Sequence, residues 1–526
     1  MYKVNVIFKH VTMTLLIIIL SFVSTRTFAY WAQTISGIQD NSNTVISIGA
    51  WGILEAPPQG IPEFIIGESY PQGSYVWYEG AIYQINNGGY INTPPPSTSS
   101  YGPFNEITDI YRPTNTYYLG DVVIYQDMFY QVLNAGAANS STPGTNSVGW
   151  KNLYAIVWLS TESYTTNDYV LHENKIYKAT VSYNLNTNEP GTSLHWREPG
   201  TIEWKSFNSY VLNDYVMYNG LLYKAVLSYG LDQAPGTNGS WKLAGSYEWN
   251  AISIYLKNDI VSYNGLYYRA KYWTQGNIPS SHNSWQQITL PGYNPSTNYK
   301  VGDLILYNGN LYQAVNAANA KANIPGTVQN AWNQVDTNEY RWFNVYTSTD
   351  HVIYNGGIYK VANISNANAS TPGTTYNSWN RVDTNEYQPY NQYALNEHVF
   401  YQGDIYRVVD VSRANQYAPG TAYNAWNMVN TSTYQGFNVY ENGDYAFYDN
   451  LSYIVVNATN ANDYVQPGSL ANAWNRIGTL YYQSFNTYQV GQLVIHEDIA
   501  YLALQVSSNI EPGTPGSEAY WDLYTP

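Results

Sequence analysis

The fold is decided by residues 299–315, which read YKVGDLILYNGNLYQAV. Two short apolar runs flank Asn308-Gly309, a dipeptide typical of two-residue type I′ hairpin turns. The pattern predicts a first strand over 301–307 and a return strand over 310–315. A polar loop follows, ends at Pro325-Gly326-Thr327, and leads to a third short strand predicted over 331–335.

The same pattern recurs ten times, each time starting at a tyrosine that we call the anchor tyrosine. Successive anchors are 44 to 48 residues apart. They are Tyr70, Tyr117, Tyr164, Tyr210, Tyr255, Tyr299, Tyr346, Tyr393, Tyr440 and Tyr488. A fixed period of this size indicates a repeat architecture. The sequence therefore predicts an all-β protein, a tandem array of about ten small three-stranded antiparallel β modules.

The repeat also predicts the boundaries along the chain. Modules 1 to 10 are expected at 64–107, 108–154, 155–200, 201–245, 246–290, 291–336, 337–383, 384–430, 431–478 and 479–526. Residues 30–63 do not fit the repeat, and we interpret them as an N-terminal β cap or linker. Short spacers between modules favour a compact array over flexibly linked beads.

Residues 1–29 have the pattern of a signal peptide. Lys3 and Lys9 precede an apolar run over 13–23, and Thr27-Phe28-Ala29 places small residues before a cut at Tyr30. The alternative is an uncleaved anchor, which the short apolar run disfavours. We expect a secreted, extracellular protein with no membrane span once the signal is cleaved.

Composition narrows the class of partner. The chain has no cysteine, 57 tyrosines and a formal net charge of −15. Small modules usually depend on disulfides or metals, and here tyrosine is expected to supply the packing instead. Low, acidic charge argues against nucleic acid and anionic membranes, which require clustered Lys and Arg. The scattered histidines predict no metal site, and no cofactor is expected.

Repeated residues are first candidates for structural roles. The tryptophan that closes modules 2 to 10 and the tyrosine after each hairpin are predicted to be core. An acid at the start of the first strand recurs in the eight inner modules. These acids are Asp121, Asp168, Asp214, Asp259, Asp303, Asp350, Glu397 and Asp444. Glycosidase carboxylates are the alternative, but a once-per-module acid is expected to cap a turn through backbone amides.

An aromatic six residues before each anchor is left open between core and surface. Trp158, Trp204 and Trp249 are the members of this set that we expect to contact a ligand. Tyr183 and Tyr229, in the loops of modules 3 and 4, are further candidates.

One module carries a specific resemblance. Residues 249–285 combine Trp249, the anchor Tyr255, the strand and hairpin residues 258–265, and the loop Tyr272-Trp273-Thr274-Gln275-Gly276 before a closing Trp285. This segment resembles the small chitin-binding type-3 modules, carbohydrate-binding module family 5/12. The other nine copies match the scaffold but not always the loop. The resemblance implies a three-stranded module that binds chitin or related polysaccharides through Tyr272, Trp273 and Trp249.

These observations predict a non-catalytic polysaccharide-binding protein, with chitin-like or cell-surface glycans as partners and avidity from tandem modules. No catalytic residues are expected, since no chitinase-type acid cluster occurs. The first alternative is a structural stalk or adhesin rod in which most copies have lost binding. The second is a subunit that anchors a separate glycosidase.

Overall fold

A computed structural model describes residues 56–154, 156–162, 164–208, 210–462 and 465–525. The predicted signal peptide, and the predicted cap up to residue 55, lie outside these residues. Within the described part of the chain, no helix is long and apolar enough to cross a bilayer.

Ten three-stranded antiparallel sheets follow one another along the chain, each with its second strand in the middle. This confirms the predicted fold class. The first strands are Tyr75–Tyr78, Val122–Tyr125, Tyr169–His172, Tyr215–Tyr218, Ile260–Tyr263, Leu304–Tyr307, His351–Tyr354, His398–Tyr401, Tyr445–Tyr448 and Leu493–His496. The second strands are Ala81–Ile85, Met128–Val132, Lys175–Ala179, Leu221–Ala225, Leu266–Ala270, Asn310–Ala314, Gly357–Val361, Asp404–Val408, Leu451–Val455 and Ile499–Ala503. The third strands are Phe104–Glu106, Trp150–Asn152, Trp196–Arg197, Trp241–Leu243, Trp285–Ile288, Trp332–Gln334, Trp379–Arg381, Trp426–Met428, Trp474–Arg476 and Trp521–Leu523.

The first two strands of each module form a tight hairpin. In module 6, Tyr307 pairs with Asn310 across the turn. Asn308 and Gly309 both have positive φ, 49° and 82°, as a type I′ turn requires. The predicted turn type is confirmed.

Each module has a small aromatic core built on its closing tryptophan. Trp332 in module 6 is fully buried, and the anchor Tyr299 meets it edge-on at 4.8 Å between ring centroids. All nine closing tryptophans are buried, and so are nine of the ten tyrosines after the hairpins, with Tyr223 half-buried. The prediction that these positions form the core is confirmed.

The recurring acids cap turns, as predicted. The Asp303 carboxylate accepts a hydrogen bond from the Lys300 backbone N–H at 2.8 Å. The other seven inner acids each accept from the backbone N–H three residues earlier, at 2.7 to 3.0 Å. Their carboxylates are therefore engaged in holding the start of each first strand.

The loop before the third strand, for which the sequence predicted no helix, contains a one-turn helix in five of the described modules. These helices are Ala135–Ala138, Ala317–Ala322, Ile364–Ala367, Val411–Ala414 and Ala458–Ala461. Each begins at an Asn or Asp whose side chain accepts from a helix N–H, the usual N-cap arrangement. Such turns are too short to leave a helical period in the sequence.

Five junctions between consecutive modules in the described chain are held by a reciprocal pair of asparagines, which we call the Asn lock. At the junction of modules 6 and 7, Asn344 exchanges two hydrogen bonds with the Gln334 backbone, at 2.8 and 3.1 Å. In return, Asn333 exchanges two with the Val345 backbone, at 2.9 and 2.7 Å. Equivalent bonds join modules 1 and 2 and every pair from 7 to 10.

The array folds back on itself, so that module n faces module 11 − n along a surface that we call the seam. Phe129 of module 2 stacks on Phe447 of module 9, with ring centroids 4.4 Å apart. Tyr169 of module 3 stacks on His398 of module 8 at 3.9 Å. Deeper in the seam, Ile176 and Ile405 pack together in one buried cluster.

The remaining levels of the seam follow the same rule. Tyr215 of module 4 stacks on His351 of module 7 at 4.2 Å. At one end, the Tyr524 hydroxyl of module 10 accepts a hydrogen bond at 3.0 Å from the Tyr75 backbone N–H of module 1. The rings of these two tyrosines meet edge-on rather than stacked. Modules 5 and 6, adjacent in sequence, form the bend at the other end.

Candidate functional site

The loop of module 5 differs from the helical loops because backbone pairing holds it. Thr274 and the anchor Tyr255 exchange two backbone hydrogen bonds, at 2.9 and 3.0 Å. The Thr274 side chain is 1% exposed, and its Oγ1 lies 3.0 Å from Ser284 Oγ. Asn277 Nδ2 donates to the same Oγ1 at 2.9 Å. The residues on either side of Thr274 are thus fixed to the module core.

Tyr272 and Trp273 immediately precede this fixed point and project into solvent. Their exposed fractions are 48% and 57%. The Tyr272 hydroxyl donates to Asn283 Oδ1 at 2.9 Å, which orients the phenol. Within the described residues, no other two neighbouring aromatics are both exposed to this degree. The arrangement offers a rigid apolar platform, and aromatic rings of this kind can cover the C–H face of a sugar.

Trp249 lies at the edge of the core rather than free on the surface. It is half-buried and meets Tyr263 edge-on at 5.3 Å. It also lines a cleft of about 210 Å³ between modules 4 and 5, together with Tyr223, Asn238 and Asn250. Its buried indole N–H has no hydrogen-bond partner. One part of the ring supports the core and another borders the cleft.

Trp158 and Trp204 are half-buried in the same way, and each has a partner. The Trp158 indole N–H donates to the Leu185 carbonyl, and that of Trp204 to the Leu231 carbonyl, both at 3.1 Å. The position six before the anchor, left open by the sequence, therefore belongs chiefly to the core edge. That Trp158 and Trp204 contact a ligand stays a prediction.

Tyr183 and Tyr229 are strongly exposed, at 62% and 69%. Tyr183 has His195 edge-on at 5.4 Å. Neither tyrosine has an adjacent exposed aromatic in its loop, so modules 3 and 4 offer one ring each where module 5 offers two.

Four of the helical loops replace the paired backbone of module 5 with a side chain. In module 7, Asn368 Oδ1 accepts from the Tyr346 backbone N–H at 2.7 Å, and its Nδ2 donates to the Tyr346 carbonyl at 3.0 Å. Modules 2, 8 and 9 have the same amide clamp. Because the amide imitates the peptide group, these modules keep their fold without the segment that presents Tyr272 and Trp273.

Modules 1 and 10 retain the backbone pairing but not the pair of aromatics before it, although Tyr90 in module 1 follows the paired residue and is exposed. Tyr70 pairs with Gly89, and Tyr488 with Ser507. The two residues before those partners are Asn87-Gly88 and Gln505-Val506. The loop type and the platform are therefore separable, and both occur together in module 5.

Some residues that shape the site were not predicted from the sequence. Asn283 orients Tyr272, and Gln275 donates from its side chain to the Ile252 carbonyl at 2.7 Å. Asn283 lies eleven residues from its partner and belongs to no motif. Thr274 and Gln275 were visible only as part of the loop pattern. No cluster of His, Asp and Glu suited to a metal ion occurs in the part of the chain that the structure describes.

Residues 248–286 match the model of carbohydrate-binding module family 5/12. The family 5/12 segment thus coincides with module 5 and includes Trp249, Tyr272 and Trp273. The match supports a carbohydrate-binding module here, and the repeated three-stranded sheets support its tandem arrangement. Comparison with curated proteins gave no match.

Proposed function

We propose that this chain is a secreted, non-catalytic polysaccharide-binding protein that recognises chitin or another N-acetylglucosamine-containing glycan, including glycans of cell surfaces. The exposed pair Tyr272 and Trp273 inside the family 5/12 segment carries the proposal. Residues 1–29 support secretion through their signal-peptide pattern. The engagement of the inner acids in turn caps supports a non-catalytic role.

Recognition would depend on the stacking of aromatic rings on sugar rings and not on charged groups. A pyranose ring presents C–H bonds on one face, and a flat indole or phenol covers that face while the hydroxyls stay hydrated. Asn283 orients Tyr272 through a hydrogen bond, and Trp273 precedes Thr274, whose backbone is hydrogen-bonded to Tyr255. Because both residues are held in this way, little conformational entropy is lost on binding. Such an open platform suits one segment of a long polymer better than a small enclosed ligand.

A second form of the proposal adds avidity from tandem modules. It is favoured by the exposure of Tyr183 and Tyr229 in the modules that precede module 5. Weak contacts on one polymer would reinforce each other because the second contact is intramolecular. The helical loops of modules 2, 7, 8 and 9 do not favour such a role.

The test uses the full chain and retention on insoluble chitin. We expect Trp273→Ala to weaken retention about tenfold, the loss of roughly 1.4 kcal/mol for one ring. Trp342→Ala is the matched control, because Trp342 in module 7 is also 57% exposed but lies outside the loop. Equal retention of the two variants would contradict the proposal, and no retention of the wild-type chain would favour the structural rod.

A further inference from the structure

The bend of the array and the aromatic platform occur in the same place. The pairing rule of the seam, n with 11 − n, leaves modules 5 and 6 as the only pair adjacent in sequence among the described modules. Module 5 is also the family 5/12 segment and carries Tyr272 and Trp273. Modules 1 and 10, which are joined by Tyr75 and Tyr524, lie at the opposite end of the two limbs.

The contacts at the bend tie its two modules together. A cleft of about 600 Å³ is lined by modules 4 to 7, with Tyr247 and Arg269 from module 5 and Leu304 from module 6. Asp336, at the end of module 6, lies close enough to Tyr247 and Tyr267 of module 5 to contribute to their raised pKa values, after burial as the main cause. Lys242 of module 4 lies over the Tyr255 ring at 5.3 Å. Module 5 is therefore supported from both sides.

The other modules, as far as the structure describes them, have no two adjacent exposed aromatics. The Asn lock joins modules 6 to 10, and the amide clamp stands in for the aromatic segment in modules 2, 7, 8 and 9. In modules 1 and 10 the backbone-paired loop has no aromatic pair before the paired residue, and module 1 has the single exposed Tyr90 after it. Outside module 5, the residues that repeat from module to module in the described chain lie mainly in the core, the junctions and the seam.

We propose that the ten modules form a two-limbed stalk that presents a single polysaccharide-binding head, module 5, at its bend. This inference rests on the proposed function and makes it specific: each chain engages a glycan surface end-on through one site, with the paired modules 1 and 10 directed away from that surface. Binding strength at a polymer surface would then come from many chains side by side.

The first arm of the test counts sites. A soluble N-acetylglucosamine hexamer is titrated into the full chain by calorimetry. We expect one binding site per chain. Trp273→Ala should lower its affinity for the hexamer at least tenfold, and the double variant Tyr183→Ala/Tyr229→Ala should change that affinity less than twofold. Two or three sites per chain, or a loss in the double variant equal to that in Trp273→Ala, would overturn the single head.

The second arm locates the head and checks the stalk. The chain has no cysteine, so single exposed cysteines carry dyes without background. Gln72, Lys257 and Val490 lie two residues after the anchors of modules 1, 5 and 10 and are exposed. A fluorescent hexamer should transfer energy efficiently to a dye at Lys257→Cys and poorly to one at Gln72→Cys. Efficient transfer to both would overturn the location at the bend.

The third arm needs no ligand and separates the two proposals. Dyes at Gln72→Cys and Val490→Cys in one chain should show efficient transfer, because modules 1 and 10 are in contact, and a dye pair at Gln72→Cys and Lys257→Cys should not. Poor transfer between modules 1 and 10 would overturn the stalk. If the hexamer fails to bind while modules 1 and 10 remain together, the proposed function fails and the folded-back array stands.

Discussion

Two histidines illustrate how a residue can change its role within a repeat. His351 and His398 begin the first strands of modules 7 and 8. There they stack on Tyr215 and Tyr169 in the seam. Each Nδ1 lies within hydrogen-bond distance of a backbone carbonyl, Thr349 O at 3.1 Å or Asn396 O at 2.9 Å.

Burial lowers the pKa of His351 to about 4 and that of His398 to about 3. Nearby cations add to this effect: Lys224 and Lys360 for His351, and Lys178 and Arg407 for His398. Both rings are therefore neutral in the folded chain at pH values where an unfolded histidine, with its ordinary value of 6.5, is already charged.

This difference predicts acid sensitivity of the seam. The stabilisation is complete above about pH 6.5 and is lost as the pH falls toward 4 and 3, because the unfolded state binds protons first. The double variant His351→Phe/His398→Phe keeps two stacked rings. We expect its melting temperature to fall less than that of the wild type when the pH is lowered from 6.5 to 4. The measurement is thermal unfolding at a series of pH values.

Comparison with the variant is necessary because buried carboxyls act in the opposite sense. Burial raises the pKa of Asp109 to about 6, so acidification favours its neutral, folded form. This contribution is common to both proteins and cancels in the difference. Parallel pH profiles for the variant and the wild type would contradict the assignment to the histidines.

At the scale of the element, the Asn lock shows how one side chain joins two modules. Asn344 and Asn208 occupy the same position in modules 7 and 4, and both are buried. Asn344 Oδ1 accepts from the Gln334 N–H, whereas Asn208 Oδ1 has no partner. The junction between modules 3 and 4 therefore lacks this bond of the lock.

We expect Asn344→Ala to destabilise its junction by about 1 to 3 kcal/mol, because it leaves a buried N–H and carbonyl unpaired. Asn208→Ala, the matched control, should cost less, since Asn208 Oδ1 has no partner to lose and Arg197 stands where the lock has its second asparagine. Hydrogen exchange of the third strand of module 6, Trp332–Gln334, measures the effect locally. Equal protection losses at the two junctions would show that the lock does not carry junction stability.

The elements also show where sequence reasoning succeeded. The hairpin at Asn308-Gly309, the buried closing tryptophans and the turn-capping acids are local, repeated patterns, so their physical causes lie within a few residues of one another. The one-turn helices were missed because their hydrogen bonds depend on an N-cap such as Asn363 and on the buried Ala367, not on a periodic stripe.

The platform was predictable because it lies within one motif, and the seam was missed because it joins distant residues. The seam nonetheless leaves a signal in the sequence of first strands such as Val122–Tyr125 and His398–Tyr401, which are largely apolar on both faces. Continuous apolar strands are typical of sheets covered on both sides. That signal predicts a second covered face but not which module covers it.

At the scale of the whole molecule, the seam predicts that half of the array cannot stand alone. A fragment of residues 56–290 would expose Phe129, Ile176 and Tyr215, which the other limb covers. Exposed apolar faces of this kind promote association. We expect this fragment to self-associate while the full chain does not, as measured by light scattering at increasing concentration. A monomeric fragment with an unchanged melting temperature would argue against a stabilising seam.

The pairing rule also sets an order in which the molecule can be completed. Modules 5 and 6 can meet as soon as both have left the ribosome, but Phe129 must wait for Phe447, more than three hundred residues later. Each further level of the seam closes a longer loop, although the entropy cost rises only slowly with its length. The seam should therefore form from the bend outward. The apolar faces of the first modules would stay uncovered longest, so these modules should depend most on chaperones.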